Sequence, residues 1–261
     1  MTVPHFSPPL WGLIFAVCAS VLLWLVSLRT RDVSIIDIFW GPGIAGVVDI
    51  VALLGRAGGP RASAVLFLVN VWGLRLAAHI FARHRGEGHR YAAMRQQAGP
   101  SWWWASLVQV FLLQAILIWF IPAPLVAATL SSRSPMHWLD YVGVGVAACG
   151  LLFEAVADSQ LARFRLDPAN KRKVMDKGLW SLSRHPNYFG EAVMWWGYFL
   201  VGFSASHAWW LALSPVVVTV LLLQVWGITL MEQKINERRP GYDDYKRRVS
   251  AFIPTPRKRP T

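Results

Sequence analysis

An all-α, polytopic membrane protein with seven transmembrane helices is the fold class this sequence predicts, and three observations carry that reading. Of 261 residues, 55% are hydrophobic, and they gather into runs near the about 20 residues that a helix needs to cross a bilayer. Lysine and arginine fall overwhelmingly into the loops of one side, which by the positive-inside rule places the N-terminus outside and the C-terminus inside. No segment reads as a strand.

The first run, Leu10 to Leu28, follows "MTVPHFSPP", which lacks the basic region of a secretory leader, so a retained span is expected. Ile35 to Leu54 and Ala64 to Ala82 follow, interrupted by Asp37 and Asp49 in the one and Arg75 in the other. Trp102 to Leu130 is long enough to tilt, or to break near Pro122 and Pro124. Trp138 to Leu161 is the fifth span. Tyr188 to Phe203 and Ala208 to Met231 form a hairpin across the short turn "SASH". Pro186 suits the first turn of the sixth helix, where its missing N–H costs nothing. Cys18 and Cys149 sit inside apolar runs and read as small buried hydrophobes.

The charges set the orientation. Arg29 and Arg31, the loop Arg83 to Arg95, the loop Arg163 to Arg184 and the tail after Met231 are basic. The opposite side holds only Arg56, Arg61 and Arg133. A formal net charge of +12 is thus a loop property and does not indicate a nucleic-acid partner.

Ionisable residues inside spans are functional candidates by default, with mutual ion pairing as the alternative. Among them are Asp37, Asp49, Arg75, Glu154, Asp158 and Glu191. In "FEAVADSQLARFR", Glu154 and Asp158 are four apart and share a helical face, where they could accept from ribose hydroxyls or an amide. Arg163 and Arg165 could meet phosphates, or mark the inner side. Arg184, His185 and Asn187 stand at the mouth of the sixth helix. "RHRGEGHRY" brings Arg83, His84, Arg85, His89, Arg90 and Tyr91 into one loop without a zinc-type ligand set. The tail carries Glu232, Tyr242 and Tyr245, and is read either as a membrane-surface segment or as a flap over a phosphate-bearing ligand. Neither a G-x-G-x-x-G turn nor a nucleophile elbow is present.

Taken together, "GLWSLSRHPNYFGEAVMWWG", "FEAVADSQLARF", "DIFWG", "WGLRLAAHI" and the tail from Glu232 through Tyr242-x-x-Tyr245 to Phe252-Ile253-Pro254 resemble the bacterial members of the steroid 5α-reductase family. "RHPNYFGE" is shared more widely, with sterol reductases and with isoprenylcysteine and phospholipid methyltransferases. "FEAVADSQ" favours the reductases.

The resemblance implies a single membrane-embedded domain that takes NADPH from the cytosol and delivers hydride to the β-carbon of a lipophilic α,β-unsaturated ketone, such as a 3-oxo-Δ4 steroid. Residues 1–100 would wall the substrate and residues 101–261 would hold the dinucleotide. Matched residues make Asp158, Arg165, Asn187, Glu191 and Trp195 cofactor ligands. Glu154, Arg163, Arg184, His185, Tyr188, Glu232, Tyr242 and Tyr245 complete the candidate set. The family's early-helix glutamate and tyrosine have no clear counterpart here. Asp37 is the nearest acid, with Arg75 and Tyr91 as the other catalytic candidates, and no metal is implied. The implied location is a bacterial inner membrane with the cofactor site facing the cytoplasm.

Two other readings stay open. One is a membrane methyltransferase using S-adenosylmethionine. The other is a non-enzymatic seven-helix receptor or transporter, of which the retinal type is disfavoured because no lysine lies in an expected span.

Overall fold

The computed structural model describes residues 7–131, 135–225 and 241–257. Among them the regular structure is helical, apart from one isolated bridge between Ser183 and Ser250. Five helical stretches are long and apolar enough to cross a membrane: Pro8–Thr30, Ile35–Leu54, Pro60–Arg83, His89–Leu130 and Trp138–Leu166. Large apolar side chains such as Leu22, Phe67, Leu74, Trp103 and Leu152 stand exposed along them. That surface suits lipid rather than water.

The helices are α1 (Pro8–Thr30), α2 (Ile35–Leu54), α3 (Pro60–Arg83), α4 (His89–Ala98), α5 (Trp102–Ser106), α6 (Leu113–Phe120), α7 (Ala123–Leu130), α8 (Trp138–Leu166), α9 (Pro186–Ser206), α10 (Leu213–Val220) and α11 (Tyr242–Arg248). Prolines open α1, α3 and α9, as the missing N–H allows.

The chain folds as two compact units, Met1–Asp140 with Val201–Leu211, and Tyr141–Leu200 with Ala212–Thr261. In the first unit α1, α2 and α3 pack side by side with the run from α5 to α7. Gly41 and Gly73 let α2 and α3 touch: a Cβ on Gly41 would lie 2.5 Å from the Gly73 carbonyl oxygen. Such close approach is how helices associate where lipid removes the hydrophobic drive.

The expected fourth span is more broken than a tilt requires. A π-helical stretch covers Leu107–Leu112, and a turn at Ile121 and Pro122 separates α6 from α7, as the prolines suggest. The loop expected at "RHRGEGHRY" is corrected by the structure: Arg83 ends α3, while His89, Arg90 and Tyr91 open α4.

The second unit is built on α8 and α9. Positions where a Cβ would collide mark their seam: Gly150 against Met194 N at 2.4 Å, Gly190 against Glu154 N at 2.6 Å, and Gly197 against Ala147 N at 2.4 Å. The expected sixth span is a helix, α9, but it is not among the five apolar ones. The expected seventh begins as a 3₁₀ turn at Trp209–Ala212; the apolar stretch Trp209–Gln224 is shorter than a full span, and the remainder to Met231 lies outside the described residues.

Candidate functional site

Because α8 and α9 touch at glycine, polar side chains beside the seam are forced together. Glu154 and Asp158 on α8 are 2% and 5% exposed. Asn187 Nδ2 donates to Asp158 Oδ1 at 3.2 Å. From Asn187, the positions Glu191, Trp195 and Tyr198 recur at helical spacing and give α9 one polar-aromatic face, with Glu191 and Trp195 buried. Trp195 and Tyr198 meet edge to face at 5.4 Å between centroids. Two atoms on this face are buried without a hydrogen-bond partner among the described residues, Asn187 Oδ1 and the Tyr198 hydroxyl. Buried polar atoms in native folds are almost always satisfied, so such atoms point to something that binds there.

Three carboxyl groups, Glu154, Asp158 and Glu191, thus share one buried face with a carboxamide and a phenol. Chemically it is rich in acceptors and suits a ligand that brings hydroxyl or amide donors.

The tail closes the same unit. Tyr245 Oη donates to the Trp180 carbonyl at 2.6 Å, Arg184 Nη1 to the Lys246 carbonyl at 2.8 Å and Ser183 Oγ to the Phe252 carbonyl at 2.8 Å. Tyr242, Tyr245 and Val249 form a small apolar cluster with Val174 packed on it. Burial pushes the Tyr245 phenol well above its ordinary pKa, with the neighbouring Tyr242 adding to the rise. The tail therefore docks on Gly178–Ser183 with both tyrosines turned inward.

Arg184, expected at the cofactor, holds this tail. His185 stacks on Tyr188 at 5.4 Å. Arg163 and Arg165 are exposed near the end of α8. Glu232 lies outside the described residues. Beside the tail, a cavity of about 440 Å³ is lined by Lys171, Arg172, Asp176, Asp244, Tyr245 and Arg248.

The first unit holds the catalytic candidates. Tyr91 Oη donates to Asp37 Oδ1 at 2.7 Å, and accepts from Arg90 Nη2 at 2.5 Å and Gln114 Nε2 at 3.2 Å. Asp37 and Tyr91, expected on sequence grounds, are thus brought together. The guanidinium placed at them is that of Arg90, stacked over the Tyr91 ring at 4.6 Å. Arg75 is half-buried on α3.

The description "Protein of unknown function (DUF1295)" belongs to a family model that matches residues 23–249, a stretch that takes in both polar clusters. The chain is a member of that family. An uncharacterized protein of Schizosaccharomyces pombe is similar to it, 25% identical over 286 aligned residues that cover 95% of this chain and 80% of the relative. No solved structure matches the chain.

Sequence reasoning passed over Gln114 and Tyr198. Both were open to detection: Gln114 interrupts the apolar "FLLQAILIWF", and Tyr198 continues the helical spacing of Glu191 and Trp195.

Proposed function

We propose that this member of the family is an integral membrane reductase with seven spans, N-terminus outside and C-terminus inside, which uses NADPH to reduce the carbon-carbon double bond of a lipophilic α,β-unsaturated ketone, with 3-oxo-Δ4 steroids as the candidate substrates. The observation that carries the reading is Asn187, whose amide donates to Asp158 while its Oδ1 is buried with no partner among the described residues. A carboxamide held at one end and open at the other fits the amide or hydroxyl donors of a dinucleotide. Bound NADPH would supply the hydride that reaches the β-carbon.

The chain's own part follows from its side chains. Glu154, Asp158 and Glu191 accept hydroxyl donors, Asn187 and Tyr198 orient the ligand's polar edge, and the Lys171, Arg172 and Arg248 cations take phosphate charge. Reduction leaves negative charge on the ketone oxygen, and catalysis needs a donor placed for it. Tyr91 Oη–H, now donated to Asp37 Oδ1 and flanked by the Arg90 guanidinium, is the group suited to turn to that oxygen.

The test is NADPH consumption by purified protein on addition of a 3-oxo-Δ4 steroid. Loss of NADPH absorbance, strongly reduced in Asn187→Ala, is expected. Tight S-adenosylmethionine binding with no NADPH binding overturns the reading in favour of a methyltransferase.

A further inference from the structure

A second cavity, of about 350 Å³, lies wholly within the first unit, and neither Asp37 nor Tyr91 lines it. Arg31, Arg95, Trp102, Trp103, Leu28 and Ser106 are among its lining residues. Its polar groups divide into those already used and those that are not. Arg95 forks onto Glu87, with Nε to Oε2 at 2.9 Å and Nη2 to Oε1 at 2.7 Å, so its charge is balanced. Ser106 Oγ donates to the Trp103 carbonyl and Ser27 Oγ to the Trp24 carbonyl, leaving no hydroxyl proton to offer.

Two donors remain. Arg31 caps α1 in the left-handed region, at φ 56°, an uncommon conformation for a side chain of its size, and its exposed guanidinium makes no ion pair among the described residues. Trp102 is 4% exposed, yet its indole Nε1–H is buried with no acceptor among the described residues.

A cavity lined by a free cation and by a tryptophan whose buried N–H is unused calls for an acceptor-rich, negatively charged group. Its rim is apolar: Leu28 is 40% and Trp103 58% exposed, beside the outward-facing Leu25 and Val26 of α1. The ligand is therefore an amphiphile with an anionic head, and the site stands at the end of α1 that carries Arg29 and Arg31. Tryptophan and arginine at that level are the usual partners of a bilayer's head-group zone.

We propose that this cavity binds the phosphodiester head group of an anionic phospholipid, with Arg31 and the Trp102 N–H as its donors and Leu28 and Trp103 against the first carbons of the acyl chains. The inference is independent of the reductase reading. It is tested by native mass spectrometry of the full chain in detergent, titrated in turn with phosphatidylglycerol, phosphatidylcholine and inorganic phosphate. Phosphatidylglycerol should bind best. Arg31→Gln should weaken it about fivefold, the loss expected for one cation near anionic lipid, and Trp102→Phe, which keeps the ring and removes only the N–H, should weaken it severalfold. Arg29→Gln, on a residue outside the cavity lining, should leave it nearly unchanged. Equal binding of phosphatidylcholine and phosphatidylglycerol overturns the proposal, as does wild-type affinity in both Arg31→Gln and Trp102→Phe. Inorganic phosphate competing as well as the lipid would make it a simple anion site and sink the lipid assignment.

Discussion

In the first unit the buried charges Asp32, Arg61 and Asp140 are each paired within the unit, whereas in the second the buried polar groups converge on one helix face and stop short of satisfying each other. Arg61 and Asp140, 1% and 0% exposed, are joined by Nε–Oδ1 and Nη2–Oδ2 contacts at 3.0 and 2.7 Å. Arg61 also donates to the Ser131 and Pro135 carbonyls, and the His137 N–H completes the Asp140 carboxylate. Asp32 meets His84, Glu87 meets Arg95, and Asp49 accepts from Asn70. On the α8–α9 face of the second unit, by contrast, Asn187 Oδ1 and the Tyr198 hydroxyl are left over. A closed network is what a fold needs in an apolar medium; an unfinished one marks where something else must complete it. The Asp37–Tyr91–Arg90 cluster sits between these cases, linked internally yet with Asp37 36% exposed.

The comparison breaks most easily at Arg61. Arg61→Met leaves Asp140 buried without its charge partner and should remove about 3–5 kcal/mol of stability, seen as a large fall in the thermal midpoint in detergent. A change within error would show that the pair is not the lock it looks to be. Next in size, Asp37→Asn and Tyr91→Phe should lower enone turnover about 100-fold or more, while stability falls by no more than the about 1–2 kcal/mol of lost hydrogen bonds. A loss of stability in place of activity would move this cluster to the structural side of the comparison.

A smaller effect is expected in the tail. Tyr245→Phe abandons the Trp180 carbonyl and should cost about 1–2 kcal/mol, read by thermal unfolding. The phenol carries its own pH signature. Its folded pKa is raised above the unfolded value, so its contribution is complete below about pH 10 and is lost as pH rises beyond that. The wild-type midpoint should fall as pH rises above about 10, and Tyr245→Phe should flatten that fall. Equal slopes in the two proteins would detach Tyr245 from the tail's docking.

Much of this was legible beforehand. Apolar runs located α1, α2, α3 and α8 closely, because hydrophobic length is a direct demand of the bilayer. Spacing alone put Glu154 and Asp158 on one face, and Pro186 marked the start of α9. The π-helical stretch at Leu107–Leu112 left no mark in composition. Arg61 read as a plain orientation marker because its partner Asp140 is 79 residues away. The tail's docking was hidden for a different reason: Arg184, Ser183 and Tyr245 bind backbone carbonyls, which every residue has and no sequence pattern records.

Equilibrium binding of NADPH to the purified protein, measured by calorimetry on the wild type, Asn187→Ala and Tyr198→Phe, bears most directly on the claim that the α8–α9 face is a nucleotide site. The wild type should bind one equivalent. Asn187→Ala should bind about tenfold or more weakly and Tyr198→Phe severalfold more weakly; the Tyr198→Phe midpoint should stay close to the wild type because that hydroxyl has no hydrogen-bond partner among the described residues, whereas Asn187→Ala also loses its bond to Asp158 and should cost about 1–2 kcal/mol of stability. Absence of NADPH binding to the wild type, or equal affinity in all three proteins, would contradict it.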